Sequence, residues 1–407
     1  MLRETVTDCA ACRLSGGYNS LALVLCQDLP GRLRRSPLAR SLRCGTIAFQ
    51  MNEDVTAGKW PVVGHEWAVE LLHNSLVAGR RPHAVLFTGP PQVGKRTLAL
   101  ALAAAMNCTA EGTRPCGQCR SCRLIARGAH SDVRVVQAET GESSREGVLK
   151  IDQIRELQRA AGLAPQESPN KVFVLREIER ANLPAANALL KILEEPPPQV
   201  VLLLTSARPH ALLPTVISRC QILALRPLPF TQVASALVER WGASPEDADL
   251  LSHLSEGRIG WAVERLKDSA ARDERARRLI DAQQLPQMGR LQRLGYAETL
   301  TRAPASIHPT LVLWASWWRD VLLIQQGCQK HVSNVDRLSE LEQQAQAFDP
   351  IQLRRFLVRL QEAPAQLNQN ANARLLLEAL MLHMPAPIAR GPLGPGFGTE
   401  PAIVRPV

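Results

Sequence analysis

The segment Gly89-Pro90-Pro91-Gln92-Val93-Gly94-Lys95-Arg96-Thr97 follows a short apolar run, Ala84–Thr88, and opens an apolar helical pattern, Thr97–Met106. A glycine-rich turn in that context presents backbone N–H groups and a helix N-terminus to phosphate, and its lysine reaches the β- and γ-phosphates. Gly89, Gly94 and Lys95 therefore read as a Walker A phosphate loop. The hydroxyl that coordinates Mg²⁺ belongs directly after the lysine, where Arg96 stands. Thr97 follows one residue later, and one residue turns a helix by about 100°, so its hydroxyl is expected to point elsewhere. A second cation beside Lys95 also opposes a metal ion. The loop is compatible with ATP binding, but magnesium-assisted hydrolysis is not expected from it.

A second carboxylate box carries the same flaw. A hydrolytic site needs an Asp for the magnesium shell and a Glu to orient water at the end of a neighbouring strand. The strand Lys171–Leu175 ends instead in Arg176-Glu177. Two magnesium positions are thus held by arginine, and Glu177 fits a solvated loop acid as well as a catalytic one. Thr205 and Ser206, ending another apolar run, fit either a phosphate-sensing position or a loop cap.

Cys108-x7-Cys116-x2-Cys119-x2-Cys122 has the spacing of a tetrahedral Zn²⁺ site, with Gly112, Pro115 and Gly117 supplying turns for a tight cage. Four thiolates leave no open position, so the zinc is expected to be structural; the alternative is a set of reduced, unligated thiols. Cys9 and Cys12 form a CxxC with no second pair nearby and are taken as incidental.

The elements that position these residues follow from periodicity. An amphipathic helix, Glu66–Ala78, precedes the first strand, Ala84–Thr88. Further short apolar runs at Val133–Gln137, Lys171–Leu175, Val200–Thr205 and Gln221–Leu225 alternate with helical segments, which predicts a parallel sheet in an α/β domain. Residues 228–268 read as three short helices, and about 272–386 as helical throughout with Leu- and Trp-rich packing stripes. The expected organisation is an N-terminal extension (1–50), an α/β phosphate-loop domain (51–226) with a zinc module (108–122), a helical lid (227–270), an all-α domain (271–386) and a disordered tail (387–407). Residues 1–50 lack periodicity and hold seven Arg, no Lys and three acids. They are expected to come from a misassigned start codon, with Met51 the real start.

The 407 residues are 45% hydrophobic, 21% charged and only 4% aromatic, with a net charge of +10. This is ordinary soluble composition with a mild basic excess that suits work near a polyanion. No apolar run approaches the roughly 20 residues of a membrane helix, so a cytoplasmic protein with reduced cysteines is expected.

Three further stretches complete a pattern: Gly128-Ala129-His130-Ser131-Asp132, then Asn187-Ala188-Leu189-Leu190-Lys191-Ile192-Leu193-Glu194-Glu195-Pro196-Pro197, in which Asn187–Glu195 reads as an amphipathic helix stopped by prolines, then Ser218-Arg219-Cys220. With the phosphate loop and the four cysteines before them, this order over about residues 60–386 resembles the bacterial clamp-loader subunits of DNA polymerase III, members of the AAA+ family. The resemblance implies a phosphate-loop domain, a lid and a C-terminal collar that joins a five-subunit ring. Leu313–Leu323 and Leu367–Glu378 resemble parts of that collar. The implied partners are the other loader subunits (gamma/tau and delta), the sliding clamp and primed DNA, with no membrane. Arg219 is implied to be an arginine finger for the ATP site of the adjacent subunit, and Lys191 to face DNA phosphate. An active gamma/tau-type motor would keep the magnesium hydroxyl, the acidic pair and a lid arginine where Gly260 stands; Arg258 lies two residues earlier. These departures favour a ring member without its own ATPase, counted as part of a DNA-directed DNA polymerase only through the holoenzyme. The alternative is a motor subunit that tolerates both arginines.

Overall fold

A computed structural model describes residues 60–139, 147–268, 270–369 and 371–388. The expected extension over 1–50, and all but the first two residues of the expected tail, lie outside the described residues. The apolar runs form strands β1 (Ala84–Thr88), β2 (Val133–Val136), β3 (Lys171–Leu175), β4 (Val200–Ser206) and β5 (Gln221–Ala224). They make one sheet in the order β2-β3-β4-β1-β5, with every pairing parallel. In register, Ala84 lies opposite Leu202, Val85 opposite Gln221, and Lys171 opposite Val200.

Side chains alternate across the sheet with period two, and both faces are covered. Val85, Phe87, Val172, Val174, Val201 and Leu203 enter one core with helices α1 (Glu66–Val77), α2 (Lys95–Met106) and α3 (Arg120–Ala126). Ala84, Leu86, Phe173, Leu175, Leu202 and Leu204 enter the other with α4 (Ile151–Ala161), α5 (Leu183–Glu194) and α6 (Pro214–Ile217). Burial on both faces explains why the strands read as continuous apolar runs. Full burial of a side chain such as Phe87 or Phe173 contributes about 1.5–3 kcal/mol.

Two helix starts differ from the sequence expectation. Helix α2 begins at Lys95, two residues early, because Gly94 takes a left-handed conformation (φ 112) at its N-cap. Helix α5 begins at Leu183 rather than Asn187. The Asn182 side chain caps it by accepting from the Ala185 N–H (2.9 Å), and Pro184 occupies its first turn.

Helices α7 (Phe230–Trp241), α8 (Pro245–Leu254) and α9 (Ile259–Lys267) follow, then α10 (Ala270–Gln284), α11 (Arg290–Arg302), α12 (Pro304–Gln325), α13 (Leu338–Ala347), α14 (Pro350–Asn368) and α15 (Ala373–Leu382). The chain divides into two compact units. The first runs to Gly242 and takes in Glu256–Ala262; the second holds Ala243–Ser255 and the chain from Val263 onward. In the second unit the aromatic stripe of α12 is core: Trp314, Trp317 and Trp318 are fully buried, and Trp318 packs edge-on against Phe348 and Phe356. Beside it, the buried Asp320 accepts from the N–H groups of Ser333 (3.0 Å) and Asn334 (2.8 Å), pinning the chain after α12. Among the described residues no helix is long and apolar enough to cross a membrane.

Candidate nucleotide and metal sites

The chain leaves β1 into the phosphate loop through Gly89 (φ 136), where a Cβ would lie 2.2 Å from the Leu225 carbonyl oxygen. Only glycine fits there. Lys95, the first residue of α2, is buried, and its Nζ donates to the carbonyls of Gly89 (2.6 Å) and Pro90 (2.5 Å). Burial pulls its ammonium down to about 8, against the opposing pull of Glu179 and then Glu177. Glu179, which sequence reasoning passed over, accepts from the Ala207 N–H just past β4 (2.9 Å). Arg96 and Thr97 are both exposed on α2.

The remaining candidates of this site stand at the ends of β3 and β4. Arg176 turns toward β2 and donates to the Gln137 side chain (2.8 Å). Glu177 adopts a left-handed backbone (φ 51), its N–H donates to Thr205 Oγ1 (3.1 Å), and its carboxylate pairs with Arg180 (2.5 Å). Thr205 is buried, so its hydroxyl serves this turn; Ser206 Oγ accepts from the Arg208 N–H (3.1 Å). From α9, the Gly260 N–H donates to the Gln92 carbonyl (2.9 Å), and a Cβ at Gly260 would meet that oxygen at 2.8 Å. The Arg258 guanidinium lies over the Trp261 ring, 5.8 Å from its centroid.

The four cysteines converge. Cys108 follows the end of α2, Cys119 caps the N-terminus of α3, and Cys122 lies within α3. All four sulfurs lie within 4.8 Å of one another. A tetrahedral ion with Zn–S bonds of about 2.3 Å needs sulfurs roughly 3.8 Å apart, so the set fits one metal ion such as zinc. Cys116 Sγ accepts from the N–H groups of Cys119 (3.2 Å) and Gln118 (3.4 Å), which hold its thiol below the usual range. Burial pushes the Cys119 thiol up, but the N–H groups of Cys122 and Thr109 outweigh it and bring the thiol down to about 6. Burial keeps Cys122 well above the ordinary value.

Lys191 and Arg219 belong to another edge. Lys191 is exposed on α5. Arg219 follows α6 and precedes β5; its Nη2 pairs with Glu194 (2.7 Å) and its Nη1 donates to the Thr215 carbonyl (3.0 Å). Because β5 runs parallel to β1, Arg219 stands at the N-terminal edge of the sheet, whereas the phosphate loop leaves the C-terminal edge. The two edges are at least about 10 Å apart at ~3.3 Å per strand residue.

The phosphate-loop unit and the all-helical unit each have a counterpart among known families. The family described as DNA polymerase III, delta subunit, matches residues 64–229, and DNA polymerase III, delta subunit, C terminal, matches 279–385. DNA polymerase III subunit delta' of Bacillus subtilis is 30% identical over 321 residues, 77% of this chain and 94% of that protein. Subunit tau of the same organism is 38% identical over 161 residues, 39% of this chain and 27% of tau. Among solved structures, a DNA polymerase III gamma subunit-related protein of Thermotoga maritima aligns with 77% of this chain and 98% of its own, at 17% identity and a TM-score of 0.40. With a relative matched over nearly its whole length and family matches in both units, the chain belongs to the delta' family of DNA polymerase III clamp-loader subunits.

Proposed function

We propose that this chain is a clamp-loader ring member that does not hydrolyse ATP itself and that presents Arg219 to the ATP site of a neighbouring gamma/tau-type motor subunit. The observation that carries the proposal is the placement of the arginines. Arg96 and Arg176 occupy the sequence positions where a hydrolytic site of this kind would carry its magnesium ligands, while Arg219 leaves the sheet edge opposite to the chain's own phosphate loop. A cation there is suited to a phosphate on another molecule. Such a group stabilises charge in the transition state and supplies about 10³–10⁵ in rate. Gly89, Gly94, Lys95, Glu177 and Thr205 form the degenerate nucleotide site, and Cys108, Cys116, Cys119 and Cys122 hold a structural zinc. Through gamma/tau and delta partners the ring places the sliding clamp on primed DNA, with Lys191 toward the DNA phosphates.

The test is ATP hydrolysis by the purified chain, with clamp and primed DNA added, and then by the reconstituted loader. The chain alone is expected to be silent, and Arg219→Ala is expected to slow the loader without impairing its assembly. The motor reading is favoured by one observation, the 38% identity to subunit tau over 161 residues. Turnover by the chain alone, abolished by Lys95→Ala, would establish that reading instead.

A further inference from the structure

The ion pair between Arg219 and Glu194 joins the end of α5 to the turn before β5, and it has a consequence for the trans role proposed above, on which this inference rests. We infer that Glu194 is the positioning residue for the Arg219 guanidinium. Arg219 Nη2 meets Glu194 Oε1 at 2.7 Å, and Nη1 donates to the Thr215 carbonyl at 3.0 Å. The guanidinium is thus gripped at two of its three nitrogens from within its own chain. Its Nε–H makes no hydrogen bond among the described residues, and about a third of the side chain (34%) remains exposed. That arrangement fixes the guanidinium while part of the side chain stays accessible to solvent.

The backbone beneath is fixed as well. The Arg219 N–H donates to the Val216 carbonyl (3.3 Å), continuing the α6 turn, and Val216 is buried. Glu194 is the last residue of α5, which the prolines from Pro196 onward stop. Its carboxylate therefore projects from the negative end of a 12-residue helix, which adds attraction for a cation. Both partners are substantially exposed, and pairs of that kind contribute little to folding stability. What the contact changes is geometry. Arginine loses rotamer freedom when its fork is held, and that freedom would otherwise be lost on reaching a phosphate. Glu195, the next residue, makes no such pair among the described residues and serves as a control of equal charge.

The experiment uses the reconstituted loader with clamp and primed DNA, and reads kcat and KM for ATP, ring assembly and the melting temperature of the chain. Glu194→Ala is expected to lower kcat at the adjoining site by between about 10-fold and 100-fold, the range a misplaced catalytic group produces. KM, assembly and melting temperature stay unchanged. Glu194→Gln, which keeps an acceptor at Oε1, restores most of the rate, and Glu195→Ala has no effect. In combination with Arg219→Ala, Glu194→Ala causes no additional loss, because it acts only through the guanidinium. Glu194→Asp, which withdraws the carboxylate by one methylene, carries the same expectation should the alanine variant not assemble. Normal turnover in Glu194→Ala beside slow turnover in Arg219→Ala would overturn the positioning role and leave the finger standing. Additive losses in the double variant would overturn it as well. Normal turnover in Arg219→Ala would remove the finger itself, and the positioning role with it.

Discussion

Asp132 is 1% exposed, yet its carboxylate accepts from three consecutive backbone N–H groups, those of Gln166 (2.8 Å), Glu167 (2.8 Å) and Ser168 (3.0 Å). Burial raises its pKa, but the three N–H groups outweigh burial and the net shift is downward. His130 completes the clamp: its Nδ1 accepts from the Asp132 N–H (3.1 Å) and its Nε2 meets Ser168 Oγ (3.0 Å). Asp132→Asn presents an amide N–H₂ to these donors and is expected to destabilise the unit by about 2–3 kcal/mol, read from denaturant unfolding. The pH dependence follows in sign. Because the folded pKa lies below the unfolded one, the stabilisation is complete above about pH 4–5 and is lost as pH falls through the folded value. The variant should show a shallower acid limb; an identical acid limb would relieve Asp132 of this role. The sequence displayed His130 and Asp132 only as a motif, because the partner N–H groups lie more than thirty residues away. Glu194 and Arg219, 25 residues apart, were hidden from each other in the same way. The positions of Lys95 and Arg96 after β1 and its glycine turn, and of Arg176 just past β3, were legible for the opposite reason: they follow from local order along the chain.

Helix α2 ties the two candidate sites together, with Lys95 at its first position and Cys108 two residues beyond its last. Nine of the twelve residues of the helix are buried, so a disturbance at the metal end is transmitted along a packed element of the core. Cys119 both caps α3 and supplies a sulfur to the cluster. Cys119→Ala is expected to abolish stoichiometric zinc, measured by atomic emission, and to lower the stability of the phosphate-loop unit by several kcal/mol, since binding energy at a structural zinc is folding energy. Full metal content with an unchanged melting temperature would dismiss the ligand set. The five strands were readable to within a residue or so because a sheet buried on both faces leaves uninterrupted apolar runs bounded by polar turns. Helix α3 was not readable: seven residues inside a cysteine cluster carry too little apolar periodicity, and the metal-ligand spacing dominates the pattern. The order of strands in the sheet was not readable either, because it is set by how α2, α4 and α5 cover the two faces rather than by any local signal.

At the scale of the whole molecule, the division into units cuts through the region of three short helices: Glu256–Ala262 associate with the phosphate-loop unit, while Ala243–Ser255 cluster with the all-helical unit. Periodicity located these helices but carries no information about which core each one joins. Net charge has the same limit. A charge of +10 over 407 residues attracts any polyanion without saying where. Salt dependence separates the local contact from the bulk field. Each phosphate neutralised by a lysine releases counterions, and the logarithm of the binding constant then falls against the logarithm of salt with a slope of about −0.9 per contact on duplex DNA. If Lys191 meets a phosphate in the loader–clamp–DNA assembly, Lys191→Ala should weaken binding across all sequences and reduce that slope by close to one contact. Lys330→Ala removes the same charge from an exposed position in the all-helical unit and should leave the slope unchanged. An equal change in both variants would assign the effect to bulk charge; no change in the Lys191 variant would return that residue to the solvated face of α5.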